Sequence, residues 1–203
     1  LLFAQGVRWE GQPFEGLRDW EGQALGEQLM AQLKRDFARL QLVEEQLREV
    51  KASQARRCRQ LQDALHGHMR GLMKLRSLGQ SSSWVLVLEM FGWRRFENRR
   101  EVGAAAGLTP TPYCSGELAH EQGIGKNGLS RVRVLMIELA WMWRRHQPHS
   151  ALSRWYEKRF AKQGARARRI GIVALARKLL IALWRYLQDG VIPEGACLKG
   201  ARA

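Results

Sequence analysis

Residues 23–50 read QALGEQLMAQLKRDFARLQLVEEQLREV, and their spacing decides the fold class. Leu25, Leu29, Leu33, Phe37, Leu40, Val43, Leu47 and Val50 recur in steps of three and four, and charged or amide side chains fill most of the gaps. That rhythm lays one apolar stripe along a long amphipathic helix. No proline falls between Pro13 and Pro110 and no glycine between Gly26 and Gly67, so nothing interrupts the pattern. A helix from 23 to about 65 would measure roughly 60–65 Å at 1.5 Å per residue. A helix that long with so narrow a stripe calls for a second helix, in cis or from another copy of the chain.

Outward from this helix the texture changes. Residues 1–22 are punctuated by glycine and one proline, and read as an irregular lead-in. Downstream, Leu75 to Gln80 reads as a tight turn. Trp84 to Phe91 is apolar on nearly every face, as in a buried helix, with a strand still open for 84–88. Asn98 is placed to cap a short helix, Arg99 to Ala106, stopped by Gly107. Thr109-Pro110-Thr111-Pro112 then breaks any helix and opens a loop to about Gly128. Three helical stretches follow at 129–146, at 151–162 behind Ser150, and at 170–188 before Gly190. No β-hairpin or internal repeat is expected. The fold class is mainly α: a lead-in over 1–22, a long coiled-coil-like helix over 23–74, and a compact helical domain over 75–203 with a long active-site loop.

The composition narrows the partners. The chain has 203 residues, 45% of them hydrophobic, which suits a globular protein. Its formal net charge is +15. Residues 1–60 hold ten Lys/Arg against nine Asp/Glu, whereas 61–203 hold 24 against ten. Such an excess favours a polyanion, whose condensed counterions are released when Lys and Arg neutralise its phosphates. Acidic substrates and simple neutral ligands are poor fits. Three cysteines (Cys58, Cys114, Cys197) without a CxxC pair suit a reducing cytoplasm and exclude a disulfide scaffold. No apolar run is long enough for a membrane span. The chain begins with Leu1 and not Met, and is expected to be part of a longer protein.

Two stretches could carry chemistry. In the loop, Ser115 is a possible nucleophile, and Gly116 beside it would let a substrate approach the backbone. Lys126 sits among Gly123, Gly125 and Gly128, a setting whose free N–H groups can cradle a phosphate, although the GK[ST] of a P-loop is missing. A Ser-Gly pair is equally the mark of an ordinary turn. The second stretch, 154–169, carries Arg154, Lys158, Arg159, Lys162, Arg166, Arg168 and Arg169 against the single acid Glu157, stepping around one helix and its exit loop. Its contacts would be mainly to phosphate and sensitive to salt. Cys58, His66 and His68 supply three metal-ligand types at poor spacing on a helix, so no metal site is expected. Trp141, Trp143, Trp155 and Trp184 lie within helices and read as core.

Glu89-Met-Phe-Gly-Trp-Arg-Arg-Phe-Glu-Asn-Arg-Arg-Glu-Val-Gly103, followed by Ala106-Gly-Leu-Thr-Pro-Thr-Pro-Tyr113, resembles the C-terminal domain of DEDD-type insertion-sequence transposases of the IS-one-ten group. So do Ser115-Gly116, Glu121 to Ile124, Glu138 to Trp141, Gln147-Pro148, Ser153 to Tyr156, Arg169 to Arg177 and Pro193 to Ala196. The resemblance is dense over about 75–203 and looser over the long helix. It implies RNA-guided strand exchange on DNA. In that scheme an N-terminal RuvC-like domain binds Mg2+, a coiled coil follows, and a C-terminal domain supplies a nucleophilic serine matching Ser115. The RuvC-like domain would precede Leu1, so no cofactor is expected in this chain. Three positions depart from the pattern: Ser77 where glycine is usual before Leu78-Gly79, Gly125 where serine is common, and Leu129-Ser130 where relatives carry Asn and Arg.

The resemblance and the residues together imply a DNA-binding region of a transposase with Ser115 as nucleophile. Arg99, Arg100, Lys126, Arg131 and Arg133 are the nearest expected cations, and Arg154, Lys158, Arg166, Arg168 and Arg169 the wider nucleic-acid surface. Expected partners are DNA, a structured guide RNA and a second copy through the long helix, with no membrane. The expected setting is the bacterial cytoplasm, at the nucleoid. The alternative is a catalytically inactive truncated copy that only binds nucleic acid or dimerises.

Overall fold

The computed structural model describes residues 16–60, 64–115, 118–125 and 127–200, and it is mainly α as the sequence implies. The chain divides into two compact units, Leu1–Gln60 and Leu61–Ala203.

In the first unit, Asp19 Oδ1 accepts the N–H groups of Glu21 and Gln23 and closes a turn just ahead of α1. Helix α1 spans Glu27–Gln60, 34 residues or about 51 Å. Glu27 in its first turn complements the positive end of the helix dipole. The apolar stripe is helical as expected. Leu33 is buried, whereas Leu40, Val43, Leu47 and Val50 are all exposed.

The second unit begins with α2 (Ala64–Lys74) and α3 (Gln80–Leu86), which runs on into a π-helical turn over Val87–Phe91. The strand reading of 84–88 is not realised. Asn98 caps α4 (Arg99–Ala105) by accepting the N–H groups of Arg100 and Glu101, as its position predicts. Helices α5 (Ser130–His146) and α7 (Ala165–Asp189) form the spine, and α6 (Ala151–Tyr156) with a second π-helical turn (Glu157–Ala161) connects them. Their buried positions follow helical spacing: Val132, Met136, Leu139, Ala140 and Trp143 on α5; Ile172, Leu175, Ala176, Leu179, Leu180 and Leu183 on α7. Of the four helical tryptophans only Trp143 is fully buried; Trp155 and Trp184 are half-buried and Trp141 is exposed. α7 starts five residues earlier than the expected 170, so the basic segment 154–169 is shared between the α6 end and the first turn of α7.

The loop expected over 108–128 contains a β-hairpin, which corrects the expectation that none is present. β1 (Pro110–Ser115) pairs antiparallel with β2 (Leu118–Ile124). Prolines at 110 and 112 argue against a central strand, but in a two-stranded ribbon both strands are edges and can carry them. The register slips between Pro110 and Pro112, where the ladder accommodates the missing donors.

The C-terminal segment is strapped back across the unit. Leu75 bridges Leu198, Arg76 N–H donates to Cys197 O, and Lys199 N–H donates to Lys74 O. Buried Gln147 holds this strap: its Nε2 donates to Arg76 O (3.0 Å) and Cys197 O (2.9 Å), and its Oε1 accepts Cys197 N–H (2.7 Å). Next to it, Ser150 Oγ accepts the Trp143 indole N–H at 2.9 Å and caps α6. Ser77, in the turn beneath the strap, has φ of 84°. That left-handed conformation is costly for a residue with a Cβ and favours glycine.

Candidate nucleic-acid interface and hairpin site

The hairpin rises from a base built by the end of α4 and the start of α5. Gly107, at φ +64°, turns the chain out of α4, and its N–H donates to Ala104 O. Gly125 N–H donates to Thr109 O and Leu129 N–H to Ala105 O, which fixes both legs of the hairpin. The packing here is close: a Cβ on Gly107 would come within 2.6 Å of Gly125 O and 2.5 Å of Arg133 Nη1. Gly107 is thus required both by conformation and by space.

Arg133 is half-buried under this base, and its Nη1 is buried without a hydrogen-bond partner. Arg131, also in the first turn of α5, is exposed and pairs with Glu89 at 2.8 Å. The first turn of α5 has no acidic residue, and Leu129 at its cap makes no side-chain hydrogen bond. Glu89 meets the charge of Arg131, while Arg133 stands against the positive end of this 17-residue helix. Such an arrangement is relieved by an anion.

Ser115 ends β1, opposite Leu118, at the end of the ribbon away from this base. From Pro110 the strand carries it about 16 Å at ~3.3 Å per residue. Arg131 and Arg133 are placed at the base, and Arg99 and Arg100 are exposed at the start of α4. Lys126, with the two residues linking Ser115 to Leu118, lies outside the described residues.

The wider basic surface is laid out by the α6–α7 connection. Ring contacts fix the π-helical turn: Phe160 meets Trp155 edge-on at 5.6 Å and Tyr156 at 5.9 Å. Tyr156 Oη also donates to Arg168 O, which joins this turn to the start of α7. Arg154, Lys158, Arg159, Lys162, Arg166, Arg168 and Arg169 are all exposed. Arg154 pairs with Glu194 at 3.4 Å, and Glu157 is taken by Arg144, whose guanidinium also lies over Tyr156. The remaining six have no ion pair among the described residues. Their charge is therefore uncompensated among the described residues.

No group of three or more His, Cys, Asp or Glu able to hold a metal ion occurs among the described residues. The donors present there do not fit the Mg2+ that the resemblance assigns to a RuvC-like domain. Nor is any helix among the described residues long and apolar enough to cross a membrane.

Sequence reasoning missed three features. The hairpin had one usable signal, the two-residue interval between Ser115 and Leu118 that opens on Gly116. The Gln147 strap had none, because its partners are backbone groups 50 and 71 residues away. The exposure of Trp93 likewise depends on tertiary packing.

Comparison with known proteins places this architecture among transposases. Residues 69–157, from α2 to the second π-helical turn, match the sequence model of the Transposase IS116/IS110/IS902 family. The chain is 41% identical to "Putative transposase y4rJ" of Sinorhizobium fredii (strain NBRC 101917 / NGR234), over 98% of this chain and 54% of that relative. It is 24% identical over 123 residues to "Transposase for insertion sequence element IS1328" of Yersinia enterocolitica, over 60% of this chain and 36% of that protein. Over residues 69–157 the chain is similar to transposases of the IS116/IS110/IS902 family. It spans about half the length of the first of these relatives.

Proposed function

We propose that this chain is the nucleic-acid-gripping and nucleophile-bearing portion of an insertion-sequence transposase. The observation that carries the reading is a family match lying across a unit with six exposed, unpaired cations on the α6–α7 connection. Phosphates would be held there, with little sequence preference. The unpartnered Arg133 and the uncapped start of α5 would receive a further phosphate at the hairpin base.

In this reading Ser115 attacks a DNA phosphodiester. Its Oγ bonds to phosphorus, the bond to the 3′-oxygen breaks, and that oxygen leaves with the electron pair. The serine proton passes to a base, and the phosphoserine link conserves the bond for rejoining. Arg99, Arg100 and Lys126 would meet the charge on the transferring group. Mg2+ would be held by a RuvC-like domain outside these residues. A structured guide RNA would select the site, and the exposed half of the α1 stripe would pair with a second copy as a coiled coil.

The test is a covalent adduct. The chain is incubated with element-end DNA, a separately supplied RuvC-like domain and guide RNA, and denaturing gels are read for protein-linked DNA. An adduct that disappears in Ser115→Ala is the expected result. DNA binding with no adduct under any combination would instead support the inactive, binding-only copy, the reading that the Leu129-Ser130 departure favours.

A further inference from the structure

The π-helical turn that ends α3 has a second consequence. Gly92 N–H closes it on Val87 O at 2.7 Å, and the chain then leaves the helix. A Cβ on Gly92 would come within 2.5 Å of Leu65 Cδ2 and 2.7 Å of Val87 O, so only glycine permits this exit. The exit delivers Trp93 to the surface, 65% exposed. Its indole N–H donates to Leu88 O at 2.9 Å, which fixes the ring without covering it. The Arg94 guanidinium lies over the ring, 4.3 Å from its centroid.

The surroundings are cationic. Arg95, Arg99 and Arg100 are exposed, and the Glu101 carboxylate is occupied by the Asn98 side chain and Glu97 N–H. Fixed, exposed and flanked by Arg94, with Arg95, Arg99 and Arg100 following within seven residues of chain, an indole can stack on any nucleobase while cations meet adjoining phosphates. In a duplex the base faces are already stacked on their neighbours. Only an unpaired strand can present one.

We propose that Trp93, with Arg94, Arg95, Arg99 and Arg100, forms a stacking platform for an unpaired nucleotide of a DNA or RNA strand. The inference rests on the nucleic-acid reading above and adds to it a preference for single strands.

The full chain, Trp93→Ala and Trp93→Phe are titrated by fluorescence anisotropy at one salt concentration. The probes are a labelled single-stranded DNA, a single-stranded RNA of the same sequence, and the matching DNA duplex. Trp93→Ala is expected to weaken single-strand binding by about 5–100-fold, the usual loss for one stacked base. Trp93→Phe retains most of the affinity, and duplex binding stays at its wild-type value. The salt slope is also unchanged, because no phosphate contact is removed. Whichever single strand shows the larger loss is the source of the nucleotide. Wild-type single-strand affinity in Trp93→Ala overturns the platform, as does an equal loss on single strands and duplex. A changed oligomeric state in Trp93→Ala, read by sedimentation, overturns it by assigning the ring to a protein interface. Failure of the wild-type chain to bind any of the three probes defeats the nucleic-acid reading itself, an outcome separate from the loss of the platform alone.

Discussion

The strap around Gln147 and the base of the hairpin are both polar regions at a helix end, and they are built on opposite terms. At the strap Gln147 and Ser150 are fully engaged: Gln147 uses its amide nitrogen twice and its oxygen once, while Ser150 serves Trp143, Ser153 and the Gln147 carbonyl. At the hairpin base Arg133 Nη1 is buried with no partner, and Leu129 leaves the start of α5 without a side-chain cap. A satisfied buried network makes a fold specific, and an unsatisfied one subtracts from stability. At the base the unsatisfied group is a cation, whereas beside the strap it is the neutral hydroxyl of Ser77.

Three substitutions sharpen or break the contrast. The largest effect is expected for Gln147→Leu, which strands Arg76 O and the Cys197 amide in a buried setting. Urea unfolding should show a loss of about 3 kcal/mol. A loss below about 1 kcal/mol would mean that the strap is ornamental. Arg133→Met should act in the other direction, raising stability by up to about 1 kcal/mol as a buried, unbonded guanidinium nitrogen is removed. The same variant should bind duplex DNA more weakly, with a shallower dependence on salt by about one phosphate contact. Destabilisation together with unchanged binding would make Arg133 a structural group and erase the contrast. The smallest effect is expected for Leu129→Asn, which restores a side-chain cap and should add about 0.5–1 kcal/mol in thermal melts.

The legible parts of this fold were those governed by short-range rules. Asn98, Ser150 and Gly190 mark helix ends through local hydrogen bonding and backbone conformation, and each is found where the sequence put it. The stripes on α5 and α7 follow from helical period alone. The hairpin was hidden because Pro110 and Pro112 argue against a strand unless both strands are known to be edges, a tertiary fact. The strap was invisible because Gln147 bonds to main chain, which every residue carries. Among the site residues, sequence identified the cations by composition but could not tell paired from unpaired. Arg131 is taken by Glu89, 42 residues away, and Arg133 is left alone, although the two are neighbours on one helical turn.

The strap also sets an order of events in synthesis. Residues 194–199 pair with 74–78 and with the 147–151 corner, so the second unit cannot close until the ribosome has passed Lys199. Domains generally fold as units while the chain is made, N-terminal parts first. Here the long α1 helix emerges with its stripe exposed well before the cationic unit is complete. The apolar stripe of α1 is therefore exposed in the nascent chain before the cationic unit has closed.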